Sequence, residues 1–259
     1  MSILFVTMKA ISKKNIDGII FDLGSTLLEY ETIPWNELSV MCLRAACDFL
    51  KNRGFDLPSP EIVEGLHFDI WRRHREQSAA TLVEWKAVDA LGELLKNLGL
   101  DGGEDSTAAF FDAFYSPIAG QLTSFADAHR VLAEVKRMNK TVGLVSNTIF
   151  PEEYHLAELR KFGLLRFFDF TIFSSTFGFR KPHPSIYQNA VRASGTGPER
   201  LLFVGDRYIE DWLGPRQNGF NAVLKYREGR EYPSPLPEDL IFIKSLSELL
   251  ILLDGAIDD

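Results

Sequence analysis

Four polar clusters, each following or closely linked to an apolar run, carry the chemistry legible in this chain. Ile19-Ile20-Phe21 leads into Asp22 and then Gly24-Ser25-Thr26, and Thr141-Val142-Gly143-Leu144-Val145 ends in Ser146-Asn147. Phe179-Arg180-Lys181-Pro182-His183-Pro184 holds a cation in a backbone fixed by two prolines. Leu201-Leu202-Phe203-Val204 leads into Gly205-Asp206, with Asp211 five residues further on. An ionisable group at the carboxyl end of a buried strand stands where open α/β sheets bind ligands. Two carboxylates at the Asp206/Asp211 spacing, with Gly205 permitting a close turn, suit a hard divalent cation that takes oxygen ligands and keeps several waters. The Ser146 hydroxyl and neighbouring backbone donors suit a phosphoryl oxygen. Each cluster also has a plain reading: Asp22 as a turn cap, Ser146-Asn147 as turn formers, Lys181 as solvated surface, Asp211 as support for the next helix. One cluster alone decides nothing; four in succession at strand ends point to a site.

Groups placed this way need a sheet to hold them. Short β-rich runs with helical patterns between them predict an α/β fold, a Rossmann-like parallel sheet with helices on both faces. Strands are expected over 18–22, 141–146, 169–173, 201–205 and 221–224, with a further candidate over 240–243. Between the first two lies a stretch without a convincing strand. Leu38, Cys42, Ala45, Phe49 and Leu50 form one apolar stripe there, and Val83, Ala87, Leu91, Leu94, Leu95 and Leu98 another. The expected organisation is a discontinuous core over 15–32 and 124–259, a helical insert over 33–123 and an appended segment over 1–14. The junctions fall near 30–34 and 117–123, where Pro117 and Gly120 suit a change of direction.

Composition narrows the partners. With 28 basic and 36 acidic residues the formal charge is −8, which argues against a non-specific footprint on nucleic acid or anionic lipid. No apolar run reaches the length of a membrane span. The two cysteines, Cys42 and Cys47, fall on different sides of a helical stretch, so reduced thiols and a cytoplasmic protein are expected.

In this order, with a helical insert after the first, the four clusters resemble the haloacid dehalogenase-like superfamily over most of the chain. The resemblance implies Asp22 as nucleophile, with Mg²⁺ held by Asp22, the Gly24 carbonyl, Asp206 and Asp211. It further implies catalytic parts for Ser146 and Lys181, phosphate contacts from Ser25, Thr26 and Asn147, and a helical cap over the site. The substrate class implied is a small phosphorylated metabolite, hydrolysed through an aspartyl-phosphate.

One position departs from the pattern. Phosphatases of the superfamily carry an aspartate two residues after the nucleophile, as general acid and base; here it is Gly24. The carbonyl that binds metal survives, but the acid does not. Such help is worth on the order of 10²–10⁴-fold in rate, felt most with poor leaving groups. Preference for acyl, aryl or anhydride phosphates is therefore expected, or a stand-in acid such as Glu29 or Glu31. A binding or regulatory module is the alternative, and a dehalogenase or phosphonatase a lesser one. The basic cluster Trp71-Arg72-Arg73-His74-Arg75-Glu76 reads as a solvated helical face with Arg72 and Glu76 paired, or as an anion contact.

Overall fold

The structure, a computed structural model, describes residues 16–100 and 103–254; the segment expected over 1–14 lies outside them. Among the described residues eight strands are formed: β1 (Gly18–Phe21), β2 (Leu28–Glu29), β3 (Thr123–Ser124), β4 (Thr141–Ser146), β5 (Phe170–Phe173), β6 (Leu201–Gly205), β7 (Asn221–Lys225) and β8 (Phe242–Ile243). Six of them make one parallel sheet in the order β5-β4-β1-β6-β7-β8, while β2 and β3 pair antiparallel outside it. The strands expected from sequence are all present to within two residues, except that the sixth is trimmed to its last two. The fold is α/β and Rossmann-like.

Strand periodicity explains how both faces of the sheet are covered. Ile19 and Phe21 of β1 join one apolar cluster with Val131, Leu132 and Val135 of α5 (Ala128–Arg137) and Leu249 and Leu253 of α10 (Leu246–Asp254). Ile20 faces the other side, with Val145, Phe203, and Ile186 and Tyr187 of α8 (Pro184–Ser194). Each such buried aliphatic or aromatic side chain stabilises by about 1.5–3 kcal/mol. That interior is what permits charged groups to be held at the strand ends.

Among the described residues four helices lie between β2 and β3: α1 (Trp35–Asn52), α2 (Pro60–Thr81), α3 (Ala87–Asn97) and α4 (Gly103–Gln121). They share their own apolar cluster, built on Leu38, Cys42, Ala46 and Leu50 of α1, Leu91, Leu94 and Leu95 of α3, and Phe110, Phe111, Phe114 and Tyr115 of α4. Ala46 takes the place in that core that the spacing assigned to Ala45, and Val83 stands outside α3, exposed. Cys42 and Cys47 are both free thiols. Among the described residues no helix is long and apolar enough to cross a membrane.

Pro117 itself does not end the last of these helices. α4 runs through Pro117 to Gln121, because the Ala113 carbonyl that loses its i+4 amide donor is taken by the Ser116 hydroxyl at 2.9 Å. The chain turns at Leu122 instead. There Gln121 ties the two connections together, donating through Nε2 to the Tyr30 carbonyl and accepting from the Thr32 hydroxyl and, at 3.2 Å, from the Ile33 amide.

The basic cluster of α2 is spent along the helical surface. Arg72 pairs with Asp69 at 2.8 Å rather than with Glu76, while Arg73 and His74 share Glu93 at 2.7 and 3.1 Å. His67 on the same helix differs: it is 1% exposed, sits against Trp71 and Phe114, and neither ring nitrogen has a hydrogen-bond partner among the described residues. Burial pushes its pKa down to about 4. An unfolded histidine near 6.5 binds a proton that the folded one refuses, so this contribution is complete above pH 6.5 and lost as pH falls toward 4. The difference amounts to about 3 kcal/mol at most. Replacing His67 with Phe should flatten the dependence of the urea midpoint on pH between 6.5 and 4. Parallel curves for variant and wild type would refute the assignment.

Candidate active site

β1 lies between β4 and β6, at the point from which the connections run outward in opposite directions. In open α/β sheets the crevice at such a switch point receives the ligand. Asp22, directly after β1, is buried there, its amide bonded to the Val204 carbonyl of β6 at 2.9 Å. Lys181 reaches the same point from the loop before α8 and is 2% exposed. Its ammonium donates to Asp22 Oδ1 at 2.8 Å, Asp211 Oδ1 at 2.7 Å and the Val145 carbonyl at 3.0 Å. An ammonium has three donors, and each has an acceptor. Burial works against its charge, but Asp211 and Asp22 outweigh that and hold its pKa above the ordinary lysine value. Burial raises the pKa of Asp22; Lys181 opposes the shift, while Asp211 and Asp206 add to it.

Asp211 arrives through a π-helical turn, Tyr208–Leu213, which follows β6. π-turns recur at functional sites because they re-aim one side chain. This one brings the Asp211 carboxylate back over the strand end, where Oδ2 accepts from the amides of Asp206 at 3.1 Å and Arg207 at 2.9 Å. Gly205 makes room: a Cβ there would lie 2.3 Å from Asp211 Cγ. Asp22, Asp206 and Asp211 bring carboxylate oxygens within 4.8 Å of one another, a donor set that fits a hard divalent cation. With both Asp211 oxygens engaged, the oxygens without a hydrogen bond among the described residues are Asp22 Oδ2 and Asp206 Oδ1.

Two groups that the sequence did not single out, Lys225 and Arg230, join residues that it did. Ser25 stands in the left-handed region at φ 60°, sparsely populated by non-glycine residues, and is held by its surroundings. Its amide donates to the Leu28 carbonyl at 2.7 Å, its carbonyl accepts from Lys225 at 2.8 Å, and its hydroxyl accepts from Arg230 at 3.0 Å. Arg230 also bonds Asp206 Oδ2 at 2.5 Å. Lys225 and Arg230 lie at and just beyond the end of β7, so the strand-end rule that found the other four clusters would have found this fifth one. Thr26 is fully buried, and its hydroxyl has no hydrogen-bond partner among the described residues. Ser146, the last residue of β4, is buried as well. The carboxamide of Asn147 is engaged at both ends by the backbone of Lys181, at 2.7 and 2.9 Å, so that side chain fixes the lysine loop instead of facing a phosphate.

The segment between β2 and β3 meets these loops at several places. Val83 forms an antiparallel bridge with Phe179, two residues before Lys181. Glu84, buried, accepts from Ser174 Oγ at 2.7 Å, and that hydroxyl takes the Thr148 amide at 2.8 Å. Tyr30 and Tyr115 each donate to one oxygen of buried Glu158 at 2.6 Å, and His155 links Glu158 to Thr148 at 2.9 and 2.7 Å. The ring of Tyr30 also lies over Gly24: a Cβ added there would meet its Cδ2 at 3.6 Å, an ordinary contact. Glu29 and Glu31, considered as stand-in acids, are instead ion-paired to Arg227 at 2.5 and 3.4 Å. Burial opposes the Glu29 charge, yet the hydrogen bond and charge of Arg227 hold its carboxyl below the usual range, which makes it a poor proton donor.

A family model described as haloacid dehalogenase-like hydrolase matches residues 16–219. The chain belongs to this family. Among its haloacid dehalogenase-like relatives, a glyceraldehyde 3-phosphate phosphatase of Methanothermobacter thermautotrophicus is 30% identical over 136 residues, 51% of this chain and 59% of that protein. The chain thus matches about three fifths of that relative's length. The human haloacid dehalogenase-like hydrolase domain-containing protein 3 is 29% identical over 63% of this chain and 66% of its own. In fold, the chain resembles a 2-haloacid dehalogenase of Pseudomonas syringae, with a TM-score of 0.69 and 22% identity over 92% of this chain and 98% of that one. It also resembles a phosphatase of the family from Thermococcus onnurineus, with a TM-score of 0.63 and 22% identity over 93% and 99%.

The Gly205 contact gives a direct test of the geometry. Gly205→Ala forces Asp211 off the amides of Asp206 and Arg207 and away from Lys181, and should destabilise by on the order of 3 kcal/mol. Chemical denaturation reads this; a loss below about 1 kcal/mol would mean that Asp211 can shift without penalty.

Proposed function

We propose that this chain is a Mg²⁺-dependent phosphohydrolase acting on a small phosphorylated metabolite through an aspartyl-phosphate on Asp22, with a preference for good leaving groups. The observation that carries the reading is the Lys181 ammonium bridging Asp22 and Asp211, with Asp206 alongside, at the switch point of the sheet. Relatives named as phosphatases, including a phosphoserine phosphatase of Thermus thermophilus 26% identical over 65% of this chain, support the phosphate chemistry. A dehalogenase forming an alkyl ester would have little use for the Asp206 and Asp211 arrangement.

In this reading Asp22 Oδ2 attacks phosphorus while Lys181 fixes Oδ1 and so aims the free oxygen. The Asp22–phosphorus bond forms as the bond to the leaving oxygen breaks, and that oxygen departs as an anion unless solvent supplies a proton. Water then attacks the phosphoryl group, releasing phosphate and regenerating the carboxylate. Ser146, Ser25, Thr26 and the amides around them would face the phosphoryl oxygens, while Asn147 and Asp211 position Lys181. Asp22, Asp206 and the Gly24 carbonyl would hold Mg²⁺, which when bound neutralises charge between carboxylate and phosphate. The helices α1–α4 would form a cap over residues 33–123, excluding water through the contacts of Glu84 and Glu158.

The first test is hydrolysis of an aryl phosphate and an acyl phosphate with and without Mg²⁺. Turnover should require the metal and vanish in Asp22→Asn. Metal binding without turnover on either compound would favour a regulatory module instead. A second test follows from the space at Gly24. Gly24→Asp should fold normally and raise turnover of a sugar phosphate by on the order of 10²-fold, since it restores a proton donor. No gain in a folded variant would remove the leaving-group argument.

A further inference from the structure

The charges around Asp206 do not follow from phosphatase chemistry alone. Lys181 is shared by Asp22 and Asp211 and makes no bond to Asp206. The cation at Asp206 is Arg230, whose Nε lies 2.5 Å from Oδ2. Its Nη2 lies 2.9 Å from Glu31 Oε1 and 3.0 Å from Ser25 Oγ, and its side chain is 17% exposed. Gly229, at φ 82°, turns the chain between Arg227 and Arg230, so that both guanidinium groups come back to the strand ends. Arg227 takes Glu29 and the second oxygen of Glu31, leaving Arg230 to span Glu31 and Asp206.

We propose that Arg230 is a built-in counter-cation of Asp206 that a divalent ion must displace, and that it thereby sets the metal affinity of the site. The inference rests on the reading of Asp206 as a metal ligand. A guanidinium stays charged at any working pH, so it cannot yield by losing a proton. A doubly charged ion on Asp206 Oδ1 would stand beside a full positive charge on Oδ2 of the same carboxylate, and the two repel at short range in a site with little water to screen them. The guanidinium has somewhere to go: Glu31 and the Ser25 hydroxyl hold it when it leaves Asp206. Arg230 is a positioning residue, keeping the carboxylate cluster assembled before metal arrives and weakening the ion's hold once it does.

Titration calorimetry with MgCl₂, on the full chain, reads this without any substrate. Arg230→Gln removes the charge and keeps a donor, and should bind Mg²⁺ about tenfold more tightly than wild type, within the range by which outer partners of metal ligands act. Arg230→Lys should stay near the wild-type value. Glu31→Gln leaves the guanidinium more firmly on Asp206 and should weaken binding; it also serves if Arg230→Gln does not fold. Unchanged or weaker binding in Arg230→Gln, with Asp206→Asn abolishing binding, overturns the counter-cation and leaves the metal site standing. Binding that survives in Asp206→Asn, or no binding to wild type and Arg230→Gln alike, overturns both.

Discussion

The contact on which the site depends is the Lys181 ammonium held between Asp22 and Asp211. Three carboxylates within 4.8 Å repel one another, and Lys181 offsets the charge of two of them, Asp22 and Asp211. Removing a charge from water costs several kcal/mol after relaxation, so such a cluster does not stabilise the protein. It is tolerated because the two apolar faces of the sheet, and the cluster shared by α1–α4, supply the stability. The surrounding structure is arranged to aim Lys181: Asn147 clamps its backbone, Val145 takes its third proton, and the π-helical turn returns Asp211 to meet it.

Much of this was legible in the sequence because strand ends are local. An apolar run that stops at a charged or hydroxyl residue announces both the strand and the group it presents, and Asp22, Ser146 and Asp206 were readable in that way, whereas Lys181 and Asp211, further along the loops, took their parts from the family resemblance. The helical character of 33–123 followed from its spacing too. Less legible were partners distant in sequence. Glu158 meets Tyr30 and Tyr115 across 128 and 43 residues, and no local pattern marks a carboxylate as the acceptor of two phenols. Pro117 shows how a neighbour modifies a local rule: the helix continues past it, with the Ser116 hydroxyl on the Ala113 carbonyl. Arg230 was within reach, since the strand before it ends as the others do.

Polar contacts join the segment carrying α1–α4 to the loops at the end of the sheet, and that has a mechanical meaning. Phe150 and its neighbours give the boundary some apolar contact, but Glu84, Glu158 and the backbone bridge of Val83 fix its geometry. Hydrogen-bonded carboxylates have discrete arrangements, whereas apolar surfaces slide. Each of these contacts ends on a loop that carries site residues: Val83 beside the lysine loop, Glu84 and Glu158 on the loop after β4 through Ser174, His155 and Thr148. The same contacts therefore hold both the helices and the loops that carry the site.

Gly24 fits into this scheme. In its place an aspartate would stand beside the ring of Tyr30, whose hydroxyl is already committed to Glu158. The aromatic face gives the position an apolar wall, and the nearest acidic residues of the same loop, Glu29 and Glu31, are neutralised by Arg227 and Arg230. Position 24 carries no proton donor, and although burial opposes its charge, Glu29 is held below the usual carboxylate range by Arg227. In the function proposed above, such a site would rely on positioning and charge neutralisation, which would suit a leaving group that departs without protonation. The arginine at Asp206 belongs to the same balance, since it compensates a third carboxylate that Lys181 cannot reach.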